Sequence, residues 1–198
     1  EQRRGELGER SRRLLGIVKS EDATPLRIAL ARNRYLNASR TIEDGRIELA
    51  DENAVAGAID ELVALASELE DIRRSLGGRI ERLERSSSRR IERRLDLALQ
   101  AEATAALLEG WSWYYAGRHT GDRERFDRGQ RAFGSVLQGD GPIPSIESVS
   151  RDLQSMEGFS RAMLGMGLTT SLMVSPRAGR PWFERLEESQ TDPATRQA

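Results

Sequence analysis

At 198 residues, with 31 basic and 32 acidic side chains and no cysteine, the chain is long enough to bury a core without disulfides or thiolate-bound metal. A formal net charge of −1 lacks the electrostatic footprint of a nucleic-acid partner, and a single histidine excludes poly-histidine metal sites. The longest charge-free run near the C-terminus, Ala162 to Pro176, is shorter than the ~20 apolar residues that a membrane span needs, so no transmembrane segment is expected.

Lys19 is the only lysine, so arginine supplies nearly all the positive charge. The chain opens on Glu1 rather than methionine, which points to a removed leading segment, a targeting peptide or a trimmed end, and leaves the compartment open between cytoplasmic and exported. In residues 1–19, Leu7, Leu14, Leu15, Ile17 and Val18 are compatible with a short amphipathic helix that frays at its start. Thr24 and Pro25 then form a helix-starting pair, and Leu26, Ala29, Leu30, Asn33 and Leu36 keep helical spacing to about Asp44, where Gly45 is placed as a stop.

A third helix is the most regular: Val55, Ile59, Leu62, Ala66, Leu69, Ile72 or Arg73, and Leu76 recur at three and four. The charged stretch from Arg73 to Arg94 reads as the solvated tip of a long antiparallel hairpin, with a break at Gly77–Gly78 or at Ser86–Ser88. A continuous coiled coil is the alternative.

The fourth helix, about Arg89 to Gly117, is the centre of the chain. Between Leu97 and Gly117 only Glu102 and Glu109 are charged. Two stripes of apolar or small residues run along it, Leu95, Leu99, Ala103, Ala106, Gly110 and Trp113 on one side and Leu97, Ala101, Thr104, Leu108, Trp111 and Tyr115 on the other. The remaining face carries Glu102, Ala105, Glu109, Ser112 and Ala116, and is the expected wall of a groove. Arg118 to Gly121 reads as a loop, and Asp122 as the cap of a fifth helix bearing Phe126, Gly129, Phe133, Val136 and Leu137. Gly139 to Pro144 is the strongest break. A sixth helix begins near Ser145 and enters the core beyond Arg161, with Met156, Met163, Met166 and Met173 lining either ordinary core or a self-association face. Pro176, Gly179, Pro181 and Pro193 predict an irregular tail over 176–198, with Trp182, Phe183 and Leu186 as an apolar clasp.

With no alternating strand pattern, the expected fold is all-α: five or six helices in antiparallel hairpins, forming a single domain over residues 1–175. About residues 104–142 the sequence resembles a tetratricopeptide-type helical hairpin. The features that carry the likeness are Gly110, Trp113 with Tyr114, Gly117, Phe126 with Phe133, and the closing Pro142. The loop RHTGDRER is longer than that pattern allows, and Gly129 stands at its small position, so regular repeats are not expected. The resemblance implies a scaffold or binding module rather than an enzyme, and members of that broad class also occur as envelope proteins accompanying transport systems.

Glu102 and Glu109 lie two turns apart on one face, ~10.5 Å along the axis, too far to share a proton. A groove-lining acidic pair for a cationic group is the functional reading, and carboxylates paired with core arginines the structural one. Trp111, Trp113, Tyr114 and Tyr115 with Arg118 and His119 form the densest aromatic cluster, in which Trp111, Tyr114, Tyr115, Arg118 and His119 are the candidates for ligand or partner contact. No GxSxG, HExxH, phosphate loop or calcium loop occurs, so neither catalytic residues nor a cofactor or metal are assigned. The expected function is recognition of a peptide, protein or small ligand in a groove lined by helix 89–117. The alternative is a structural or self-assembling envelope or transport-associated protein, a homo-oligomer through the methionine helix.

Overall fold

The computed structural model describes residues 23–47, 51–85, 89–137, 143–144 and 156–191. Among these residues there are six helices and no strand: α1 (Thr24–Arg46), α2 (Glu52–Glu84), α3 (Arg89–Thr120), α4 (Arg123–Val136), α5 (Met156–Met173) and α6 (Pro176–Thr191). The all-α expectation holds. No described helix is long and apolar enough to cross a membrane.

Polar caps set where several helices begin. Asp51 accepts a hydrogen bond from the Ala54 amide at 2.7 Å, and Asp122 accepts one from the Glu124 amide at 2.9 Å, as its position in the sequence predicts. Apolar spacing does the rest. Along α2, Val55, Ile59, Leu62, Leu65, Ala66, Leu69, Ile72, Leu76 and Ile80 are all buried. Along α1 the buried stripe is Ile28, Ala31, Tyr35, Ala38 and Ile42.

Paired side chains fix the directions. Arg27 meets Glu68 while Arg34, farther along α1, meets Glu61 as well as Glu68, so α1 and α2 run antiparallel. Tyr35 and Glu43 of α1 meet Tyr115 and Arg118 of α3 in the same order, so α3 runs with α1 and against α2. Gln130 reaches Thr170 and Arg123 the Met173 carbonyl, which sets α4 against α5. The chain is thus a row of antiparallel hairpins, and α3 packs on α1, α2, α4 and α5.

Three expectations about boundaries are corrected. Gly77 and Gly78 do not break α2, which runs through to Glu84. Burying Leu76 and Ile80 gains roughly 1.5–3 kcal/mol apiece, more than the ~1 kcal/mol that a mid-helix glycine costs. The loop expected at Arg118–Gly121 is a last helical turn to Thr120, and the reversal comes at Gly121, whose φ of 70° favours glycine. The tail is not irregular over 176–191. Pro176 stands at the first helical position, where its missing N–H costs nothing, and Ser175 caps the helix through a 3.2 Å bond from the Ala178 amide. Gly179 lets the backbone of α6 close on α5: a Cβ there would stand 2.5 Å from the Gly167 carbonyl oxygen. The apolar clasp exists, on a helix, with Trp182 and Leu186 packed on the core and Phe183 against Gly167. The segments expected at 1–19, at Ser86–Ser88 and at the start of the sixth helix near Ser145 lie outside the described residues, as does all of the Gly139–Pro144 break except Pro144 with its neighbour Ile143.

Gly77 and Gly78 carry a prediction. A Cβ at Gly77 meets nothing within 4 Å, and at Gly78 only the far end of Arg82 at 3.8 Å. Gly77→Ala and Gly78→Ala should each stabilise the protein by about 0.5–1 kcal/mol, read as a raised urea midpoint at unchanged slope. A lowered midpoint would mean that α2 needs its freedom there.

Candidate functional site

The helix α3 is flanked by α2 on one side and α4 on the other, and the crotch between them holds a recess of about 430 Å³. Glu70 and Arg73 come from α2, Glu109 and Trp113 from α3, and Arg128, Arg131 and Ala132 from α4. Glu109 is seated at its floor by the face of α3 that the sequence marks as polar.

Of the face expected to wall a groove, Ala105, Glu109, Ser112 and Ala116 are all buried, and only Glu109 lines the recess, paired with an arginine of the core as the structural reading has it. The small side chains of this face allow a neighbouring helix to approach closely, and the Ser112 hydroxyl is satisfied within α3 by donating to the Leu108 carbonyl at 2.7 Å. Glu109 is the exception in size and charge. Its carboxylate accepts from Arg73 Nη1 at 2.8 Å, with side chains only 7% and 17% exposed respectively, while Arg73 Nη2 donates to the Ser135 hydroxyl at 2.5 Å. One guanidinium therefore ties α2 to both α3 and α4. Burial pushes the Glu109 carboxyl above its ordinary range, and the bond to Arg73 and its charge offset this only in part.

The polar inventory of the floor is incomplete. Arg73 Nε and Trp113 Nε1 are buried and complete no hydrogen bond. The Trp113 indole N–H lies near enough to the Glu109 carboxylate to favour its charge, but outside bonding geometry. Over the Trp113 ring sits the Arg128 guanidinium, 5.0 Å from the centroid. At the rim, Arg128 and Arg131 pair with Glu124 and Asp127 at 2.7 Å, and Glu70 pairs with Arg74 at 3.2 Å. These are exposed i,i+4 pairs, worth about 0.3–0.5 kcal/mol each, so Arg131 and Glu70 can turn to another partner at little cost, whereas Arg128 also holds its place over the Trp113 ring.

The other candidates from the sequence lie elsewhere. Tyr115, Arg118 and His119 line a smaller recess of about 160 Å³ with Ile42, Glu43 and Arg46, on the α1 side of α3. Glu43 holds Arg46 at 2.8 Å and Arg118 at 3.6 Å there. Burial raises the phenol pKa of both Tyr114 and Tyr115. Trp111 and Tyr114 are core: Trp111 packs edge-on against Tyr114 and Phe133, each at 5.4 Å. Glu102 is half-buried and lines neither recess. The structure thus gathers Tyr115, Arg118 and His119, and separates Glu109 from them.

Sequence reasoning missed Arg73, Arg128 and Arg131 at the larger recess, and Glu43 and Arg46 at the smaller. Only Arg73 carried a signal: it competes with Ile72 for a place on the apolar stripe of α2, an odd position for an unpaired charge. Among the described residues no group of three or more His, Cys, Asp or Glu side chains could hold a metal ion. No family model matches this chain, and neither a curated protein nor a solved structure does. Fold and site together define a helical-hairpin protein with a polar recess on its central helix.

Proposed function

We propose that the protein is a non-enzymatic binding module that holds a short peptide or small polar ligand in the recess between α2, α3 and α4. The observation that carries this reading is the recess itself: a volume of about 430 Å³ with the buried Arg73–Glu109 ion pair at its floor and the partly exposed charges of Glu70, Arg128 and Arg131 around it. The volume falls within the roughly 300–1,000 Å³ of small-molecule sites. Kinship of the α3–α4 hairpin with tetratricopeptide units belongs to the same proposal, supported by the close contact of Gly110 with Phe133.

A thermal-shift panel of dipeptides, dicarboxylates, polyamines and sugar phosphates tests it. At least one class should raise Tm, since a ligand that binds only the folded chain stabilises it by mass action. The rise should vanish in Glu70→Ala or in Arg128→Ala with Arg131→Ala, whose side chains sit at the rim. A silent panel, or a shift that survives both changes, would refute binding at this recess.

Self-assembly is the second reading, with a different basis from the methionines. Met163 and Met166 are buried in the chain's own core, and what α5 exposes instead is Leu164, Leu168 in part, and Leu172, spaced by four on one stripe. Light scattering that gave a monomer at all concentrations would remove it.

A further inference from the structure

The walls of the recess carry opposite charge, and this deepens the binding-module reading on which it rests. From α2 comes Glu70; from α4 come Arg128 and Arg131; the floor between them is the self-neutralising pair of Arg73 and Glu109. A ligand bearing only negative charge would satisfy α4 but face Glu70 and the buried Glu109 carboxylate. One bearing only positive charge would face three guanidinium groups. The side chains that could turn to a ligand are Arg131, held by Asp127 on exposed α4 surface, and Glu70, held by Arg74 on exposed α2 surface; Arg128, paired with Glu124, can meet a ligand from its place over the Trp113 ring. Each such group is then matched by an opposite charge on the ligand.

We infer that the ligand is a zwitterion, a free α-amino acid or short unblocked peptide, with its carboxylate on Arg128 and Arg131 and its ammonium group toward Glu70. The guanidinium groups suit a carboxylate because they offer parallel donors to its two oxygens.

Titration calorimetry with dialanine in four forms tests this: free, N-acetylated, C-amidated and doubly capped, with free alanine separating an amino-acid site from a peptide site. The free dipeptide, or free alanine, should bind, each single cap on the dipeptide should weaken it at least ~10-fold, and both caps together should abolish binding. In Glu70→Gln the acetyl cap should stop mattering. In Arg128→Gln with Arg131→Gln the amide cap should stop mattering. If N-acetyl-dialanine binds as well as the free form, the site takes an anion, and if the amide does, a cation; either result overturns the zwitterion and leaves the recess as a binding site. If neither dialanine nor alanine binds while another class in the thermal-shift panel does, the zwitterion is again overturned. The recess itself is removed by a silent panel or by a shift that survives the rim substitutions.

Discussion

Replacing Arg73 by methionine should destabilise the protein by about 3–5 kcal/mol at neutral pH, because it leaves the Glu109 carboxylate buried without its counter-charge. The reverse change is not equivalent. In Glu109→Gln the amide oxygen still accepts from Arg73, and Arg73, at 17% side-chain exposure, retains some access to water, so a cost of about 1–2 kcal/mol is expected. Replacing both residues by methionine should restore stability close to that of the native pair. A buried pair with excellent geometry can beat an apolar substitute, but Arg73 Nε finds no acceptor here, so desolvation of the guanidinium is only partly repaid.

The pH dependence supplies an independent check. Burial holds the Glu109 carboxyl above its ordinary value of 4.5, so the folded chain binds that proton more tightly than the unfolded chain. Its contribution to stability is therefore complete below about 4.5 and is lost as the pH rises through the raised folded value. Removing Arg73 raises that value further and widens the window, so the deficit of Arg73→Met should shrink on acidification. Urea unfolding at several pH values reads all of this. A deficit independent of pH, together with a double variant as unstable as Arg73→Met alone, would show that the methionine acts through packing and not through the stranded carboxylate.

These residues also show what periodicity can and cannot reveal. The run from Val55 to Leu76 announces its helix because spacing by three and four is a local property, and Asp122 announces its cap for the same reason. Pairing is not local. Glu109 meets a side chain 36 positions earlier in the chain, and nothing within one helix says which polar face will be covered by a neighbour. The strip of Glu102, Ala105, Glu109, Ser112 and Ala116 reads as the wall of a groove because it lacks large apolar groups, yet small residues are also what a close helix crossing needs. The C-terminal segment misled in a similar way. Pro176 and Gly179 signal a break when read as types, but one opens α6 and the other admits α5. The recess was half visible: Glu109 and the α3 wall stood out, whereas the arginines of α4 were indistinguishable from others on solvated helix faces.

The largest single loss from the core should come from Phe133. Its ring is fully buried, stands edge-on to Trp111 at 5.4 Å, and fills the space left by glycines on two different helices. A methyl group at Gly110 of α3 would stand 2.6 Å from Phe133 Cε1, and one at Gly165 of α5 would stand 2.7 Å from the same atom. The ring therefore wedges α3 and α5 at a separation that only two missing side chains permit. Phe133→Ala should cost about 3–5 kcal/mol, from lost transfer energy plus the cavity. Gly110→Ala should cost about 1–3 kcal/mol in the native background, since the ring cannot retreat from a packed core. In the Phe133→Ala background the sign should reverse: the added methyl enters the cavity, and alanine favours the helix over glycine by ~1 kcal/mol. The same reversal should hold for Gly165→Ala, and the double-mutant cycle measures the coupling directly. If Gly110→Ala were equally harmful with and without the ring, the glycine would be serving the α3 backbone rather than the contact. The hairpin of α3 and α4 would then owe its closeness to some other pair, such as Gly129 against the Gly110 carbonyl oxygen, where a Cβ would stand 3.1 Å away.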